Sequence, residues 1–313
     1  MKLALGFPGQ GSQTVGMMRS FAESKLVRDT FAEASDVLKQ DLWRLVSAGP
    51  AEELNLTVNT QPVMLTAGYA VYRGWRAAGG AQPEFVAGHS LGEYTALVAA
   101  GVVSFGDALP LVRFRAQAMQ DVVAVGTGAM AVILGLPDDA VHAACSEAAQ
   151  GEVVEAVNFN APDQVVIAGH RTAVARGVAA AKARGAKRAA MLPVSAPFHS
   201  SLLQPAAQRL AQYLTTVAFD APEIPLVNNV DVAVVGDVRQ IKEALARQAC
   251  NPVRWVEVIH YMARAGVTHV AECGPGKVLA GLTKRIDNSL HGLAIADTVS
   301  LARALETLKA ASC

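Results

Sequence analysis

Gly88-His89-Ser90-Leu91-Gly92 constrains this chain more than any other segment. A short apolar run, Phe85-Val86-Ala87, precedes it, and Glu93-Tyr94-Thr95-Ala96-Leu97-Val98-Ala99-Ala100 follows with helical character up to Gly101. Strand, sharp turn and helix in that order turn a bare G-x-S-x-G match into a nucleophile elbow. The flanking glycines let the chain fold back without Cβ clashes. The first amide of the helix is expected to point at the serine oxygen, where negative charge develops in acyl chemistry. Ser90 is therefore the candidate nucleophile. The alternative is a glycine-serine turn that merely joins a strand to a helix.

The chain has 313 residues, 52% of them hydrophobic, enough for one large domain or a large one carrying a smaller insert. Its 27 basic and 27 acidic side chains balance, which argues against a nucleic-acid-binding protein. No uninterrupted apolar run approaches the roughly 18 residues of a membrane helix. The apolar N-terminus stops too soon, at Pro8-Gly9, to read as a signal peptide. Cys145, Cys250, Cys273 and Cys313 contain no C-x-x-C pair, which speaks against a zinc site or a disulfide framework and for the reducing cytoplasm. No metal is expected.

Strands and helices alternate, so the fold class is α/β with a parallel sheet. Residues 1–7 read as a strand. Val63, Ala67, Val71 and Trp75 form a helical stripe with Thr60 as N-cap, Pro62 in the first turn and Gly79-Gly80 at the end. Ser104 and Asp107 resemble a capping box for a helix towards Gln120, in which Pro110 predicts a kink or a shifted start. From Gly126 the rhythm changes. Strands at 130–135, 153–157, 164–168 and 187–194, with helices at 137–149 and 172–184, give the β-α-β-β-α-β order of a ferredoxin-like unit. Residues 126–194 are thus expected to form a small domain inserted into a hydrolase-like domain of residues 1–125 and 195–313. A helix after His199, a strand at 225–230, a helix at 238–249, a strand at 269–273 and a helix after Gly276 complete the expected order.

A serine hydroxyl needs a base within reach. His199 lies in Ser195-Ala196-Pro197-Phe198-His199-Ser200, an irregular loop between a strand and a helix, where catalytic groups gather. It also follows Ser90 in chain order, as in α/β-hydrolase folds. His89 reads better as structural. Asp163 and a backbone carbonyl both stay open as the group orienting the imidazole. The glycines of Gly6-Phe7-Pro8-Gly9-Gln10-Gly11 lack the Gly-Lys-Ser/Thr of a phosphate loop, and a backbone amide offered to an oxyanion fits this loop better. Gly126-Thr127-Gly128-Ala129-Met130-Ala131 leads into a strand rather than a helix, so it fails the context test for a dinucleotide site.

Phe7-Pro8-Gly9-Gln10-Gly11-Ser12-Gln13, Gly88-His89-Ser90-Leu91-Gly92-Glu93-Tyr94, Pro197-Phe198-His199-Ser200 and Gly274-Pro275-Gly276 occur in this order. With them the chain closely resembles the malonyl-CoA:acyl carrier protein transacylases over essentially its full length. That resemblance implies a hydrolase-like domain with a ferredoxin-like insert, and it implies residue roles. Ser90 attacks the malonyl thioester and His199 serves as base and then acid. The backbone amides of Gln10 and Leu91 form the oxyanion hole. Arg115 holds the malonyl carboxylate, and Gln248 orients His199 through its carbonyl. Phe198 narrows the acyl pocket, or simply packs in the core. A planar guanidinium suits a carboxylate better than an ammonium would. Alone, Arg115 could equally be a solvated helix residue, like Arg113.

The implied reaction is ping-pong and needs no bound cofactor, with malonyl-CoA and the phosphopantetheine thiol of an acyl carrier protein as substrates for fatty acid biosynthesis. The carrier is a transient partner, and the enzyme is expected to be a monomer. Carrier proteins of this type are acidic, so Lys182, Arg184, Lys187 and Arg188, and separately Lys284 and Arg285, are candidates for a basic rim. Three other readings compete. One is a serine thioesterase or hydrolase on the same elbow. Another is an acyltransferase of a polyketide synthase or a malonate decarboxylase. The third is a non-catalytic CoA- or acyl-carrier-binding protein.

Overall fold

The structure is a computed structural model that describes residues 1–124, 126–194 and 196–311. Cys313 and the expected domain limits at 125, 195 and 313 lie outside the described residues. Strands β1 (Leu3–Phe7) and β2 (Phe85–Gly88) come first in the chain. Then follow β3 (Gly128–Leu134), β4 (Val154–Ala161), β5 (Gln164–His170) and β6 (Arg188–Met191). The last two are β7 (His269–Cys273) and β8 (His291–Ile295).

The first sheet is parallel, in the order β2-β1-β7-β8. All five residues of β1 are buried, as expected of a central parallel strand covered on both faces. The register pairs Phe7 with Gly88, so the loops leaving β1 and β2 emerge side by side at the carboxyl end of the sheet. Ligand crevices form at such ends. The second sheet is antiparallel, in the order β4-β5-β3-β6, which is the split β-α-β arrangement. Helices Asp138–Ala149 and Arg171–Ala183 pack on it over a separate apolar core that includes Ile133, Val141, Val165, Ile167 and Val174. Its other residues Met130, Val157, Val166 and Ala168 join the core of the first sheet, so the two bodies share an apolar seam.

Several boundaries differ from expectation. The long helix spans Thr57–Ala77 and starts ahead of Thr60, whose hydroxyl donates back to the Leu54 and Leu56 carbonyls instead of capping. Pro62 consequently falls in the second turn rather than the first. The helix of Arg115 spans Phe105–Asp121 from a Ser104 cap, so Pro110 does not move its start. The regular part of the last small-sheet strand stops at Met191, because Pro193 has no N–H to continue the ladder.

The run 225–230 forms no strand of its own. Val86 N donates to Pro225 O and Val227 N to Val86 O, and the chain then leaves the sheet. Asn228 turns it, with its side chain accepting from Asp231 N, and this frees Asn229 for the elbow. Elements that were not anticipated include helices Lys25–Leu38, Leu42–Ala48 and Ala51–Leu54 ahead of the long helix, and, later in the chain, helix Trp255–Arg264, strand β8 and helix Thr298–Ala310.

Candidate active site

Backbone geometry at the elbow explains its glycines. Ser90 sits at φ 54°, in the left-handed region. A Cβ on Gly88 would stand 1.9 Å from the Gly92 carbonyl carbon, and one on Gly92 would stand 2.0 Å from Phe7 O. On Gly9 it would meet His89 O at 2.4 Å. Only glycine lets the loop after β1 lie against the elbow. His89 N donates to Phe7 O across this contact. Such strain collects at functional sites.

Gln10 and Leu91 both line a cleft of about 410 Å³ together with Ser90, Arg115, Phe198 and His199. Among the described residues, neither the Gln10 nor the Leu91 backbone amide donates to another group of the chain. The small sheet contributes the opposite wall through Met130, Asn158 and Leu192.

Ser90 Oγ lies 2.7 Å from His199 Nε2, and His199 Nδ1 lies 2.8 Å from Gln248 O. A carbonyl can only accept, so the ring proton sits on Nδ1 and Nε2 is left to accept from the serine hydroxyl. The carbonyl alternative for orienting the ring is therefore the one present. Asp163 instead occupies the β4–β5 turn at φ 57°, its carbonyl accepting from Gly135 N. Burial, and next the Arg115 charge, lower the His199 pKa to about 3, so the free imidazole is neutral.

Arg115 is 2% exposed and makes no ion pair among the described residues. Its Nη1 donates to Gln61 Oε1 at 2.8 Å, and its Nη2 to Gln248 Oε1 at 2.9 Å and to Ser90 Oγ at 3.2 Å. Neutral amides thus hold a buried cation against Ser90 and, among the described residues, leave its charge uncompensated by direct contact. The Tyr94 ring lies 5.2 Å from the guanidinium carbon. Arg113, by contrast, turns away and donates to Gln40.

Four residues of this site escaped the sequence reading. Gln61 Nε2 donates to Thr57 Oγ1, and Thr57 Oγ1 in turn donates to Gln10 Oε1, which ties the arginine to the loop after β1. Asn229 Oδ1 accepts from Ser90 N at 2.8 Å, and its Nδ2 donates to Gly88 O at 2.8 Å, clasping the elbow from the far side. Glu93 is buried beneath it and accepts from Asn229 N and Gln248 Nε2. The only local signal for these was their polarity at positions that are otherwise apolar. His89 bonds Asn160 Oδ1 at 2.7 Å and packs on Trp255, in keeping with a structural role.

Comparison with known proteins agrees with this geometry. Residues 6–303 match the family model "Acyl transferase domain". The chain is 55% identical to the malonyl CoA-acyl carrier protein transacylase of Escherichia coli strain K12, covering 97% of this chain and 99% of that protein. It is 42% identical to the protein of the same name from Bacillus subtilis strain 168, covering 98% of each. Among solved structures it superposes with a TM-score of 0.96 on the acyl-carrier-protein S-malonyltransferase of Burkholderia pseudomallei 1710b, at 65% identity over 98% of this chain and 100% of that one. It also matches, at TM-score 0.97 and 52% identity over 98% of this chain and 100% of that one, a malonyl-transacylase in complex with its type II polyketide synthase acyl-carrier protein. A full-length match of this kind, on an elbow whose serine meets a histidine and an arginine, makes the chain a member of the acyl transferase domain family and, within it, of the malonyl CoA-acyl carrier protein transacylases.

Proposed function

We propose that the chain transfers a malonyl group from malonyl-CoA to the phosphopantetheine thiol of an acyl carrier protein, supplying extender units for fatty acid biosynthesis. The observation that carries this reading is the unpaired Arg115 guanidinium 3.2 Å from Ser90 Oγ, itself 2.7 Å from the His199 base. A malonyl group differs from acetyl by one carboxylate, and a buried guanidinium beside the nucleophile is the complement of that difference.

In the first half-reaction Ser90 Oγ bonds to the thioester carbonyl carbon as its proton passes to His199 Nε2. The negative charge moves onto the carbonyl oxygen, which the Gln10 and Leu91 amides stabilise. The C–S bond then breaks and the CoA thiolate takes the proton from His199. In the second half the carrier thiol gives its proton to His199 and attacks the malonyl-Ser90 ester; the ester C–O bond breaks and Ser90 Oγ takes that proton back from His199 Nε2. Gln61 and Gln248 hold the Arg115 guanidinium in place while its remaining N–H groups meet the malonyl carboxylate. Phe198, which is buried and lines the cleft, limits the size of the acyl group.

Both substrates bring their own phosphopantetheine, and no step needs a resident cofactor or metal. The carrier protein is a transient partner, as suits a ping-pong cycle. We also propose that the enzyme acts as a monomer in the cytoplasm. No described helix is long and apolar enough to cross a membrane. Of the candidate basic rim, Arg184 is already paired with Glu147, while Lys182, Lys187, Arg188 and Lys284 are exposed and free to meet an acidic carrier.

Intact-protein mass after brief exposure to malonyl-CoA tests the reading, with Ser90→Ala in parallel and a phosphopantetheinylated carrier added afterwards. A malonyl adduct on the wild type alone, discharged onto the carrier, is expected. An adduct lost to water equally fast without carrier would make the chain a hydrolase.

A further inference from the structure

One buried carboxyl has no part in the transfer described above, although it sits directly beneath it. Glu93, on helix Gly92–Ala99, is 1% exposed. Its Oε2 accepts from Asn229 N at 2.9 Å and from Gln248 Nε2 at 3.0 Å. Gln248 is the junction of the site. Its backbone carbonyl holds His199, its Oε1 accepts from Arg115 Nη2, and its Nε2 also donates to Ser90 O at 2.9 Å.

A carboxamide has two ends of nearly equal size, one that accepts and one that donates. Which end meets Arg115 is decided by what surrounds the other end. We propose that Glu93 is a positioning residue for acyl selectivity, its carboxyl oxygen holding the Gln248 amide so that Oε1, and not the N–H2 group, faces Arg115. The proposal rests on the reading of Arg115 as the holder of the acyl carboxylate.

With the amide reversed, two donors would face each other, and the guanidinium would lose a bond that sets its fork against Ser90. Ser90 O favours the same sense of the amide as Glu93 does. Removing Glu93 alone therefore weakens the preference instead of abolishing it. It also leaves a buried N–H without one of its acceptors. Burial raises the Glu93 pKa to about 7. A carboxyl that is partly protonated near neutrality still accepts through Oε2 when the proton rides on the other oxygen. Its acceptor oxygen, not its charge, is what the geometry uses.

The test compares wild type, Glu93→Gln and Glu93→Leu, with Arg115→Ala as control, for kcat and KM with malonyl-CoA and acetyl-CoA and one holo carrier. Glu93→Gln keeps an acceptor in the same place without the charge. It is expected to hold the malonyl-over-acetyl ratio of kcat/KM within about threefold of wild type, whereas Glu93→Leu lowers that ratio about tenfold, chiefly by raising KM for malonyl-CoA. A ratio that falls as far in Glu93→Gln as in Glu93→Leu overturns the proposal in favour of a charge effect. Equal loss of both acyl groups in Glu93→Leu overturns it in favour of a purely structural role. If Glu93→Leu does not fold, Gln248→Met removes the same amide from the other side, and unchanged selectivity there overturns the proposal. A wild type without preference for malonyl would instead overturn the functional reading itself.

Discussion

The guanidinium of Arg115, on helix Phe105–Asp121, approaches to 3.2 Å the Oγ of Ser90, in the turn that leaves β2, and both residues line one cleft. The cation proposed to select the acyl group and the oxygen proposed to attack it are thus neighbours before any substrate arrives. Selection and chemistry share one set of hydrogen bonds.

Arg115→Ala separates the two. A charged hydrogen bond contributes about 1.5–3 kcal/mol, so loss of even one is expected to lower malonyl transfer about 10- to 150-fold. Acetyl transfer should hold or rise. Competition between the two CoA thioesters, read by mass spectrometry of the acyl-carrier product, checks this, and equal loss of both would refute the carboxylate role.

His199→Ala removes the proposed base and acid together. Malonyl-Ser90 formation is expected to slow about 10²- to 10⁴-fold, with the circular dichroism spectrum unchanged. In the wild type the free imidazole titrates at about 3 because of burial and the nearby Arg115 charge. The acid limb of kcat/KM for malonyl-CoA should accordingly lie well below the usual histidine range. A limb near 6.5 would mean that the base is another, exposed histidine.

Glu272, at the carboxyl end of β7, is buried with Oε1 unpartnered among the described residues, and its Oε2 accepts from Ala280 N. Burial raises its carboxyl from 4.5 to about 7. Between those values the folded chain binds a proton that the unfolded chain has released. The group therefore favours folding below its unfolded pKa, and that contribution is lost as pH rises through about 7. Going from pH 5 to pH 8, wild type should lose on the order of 1–3 kcal/mol more stability than Glu272→Gln. Parallel denaturant titrations at the two pH values measure it, and equal pH slopes would count against the burial argument.

Gly92→Ala is expected to disable the elbow. Its Cβ would stand 2.0 Å from Phe7 O, and backbone on both sides leaves nothing flexible to yield. Loss of soluble folded protein, or of Ser90 labelling by a fluorophosphonate probe, is the expected readout. A fully labelled, wild-type-stable variant would show that the two loops can part.

Where the residues responsible for a feature are close in the chain, the sequence was enough. Gly88, Ser90 and Gly92 specify the elbow by spacing alone, since a sharp turn between strand and helix is a local steric problem. The β-α-β-β-α-β order of the small sheet follows from alternating periodicities in the same way. Helix Trp255–Arg264 was nevertheless not anticipated, although Trp255, Val258, Ile259 and Met262 stand at helical spacing and are all buried. Helix Thr298–Ala310 was missed in the same way, despite its capping box at Asp297 and Ser300.

The sense of each amide in the site could not be read that way. Gln61, Asn229 and Gln248 come from three distant segments, and a glutamine in a sequence carries no mark of which end will donate. The same limit applied to residues 225–230, whose apolar start suggested a strand until Asn229 was drawn off to clasp Ser90. By itself, the sequence determined the turn that exposes the nucleophile, because that depends on local backbone sterics. Only the tertiary structure decided which donors and acceptors surround it, because hydrogen-bond partnership depends on the relative placement of elements far apart along the chain.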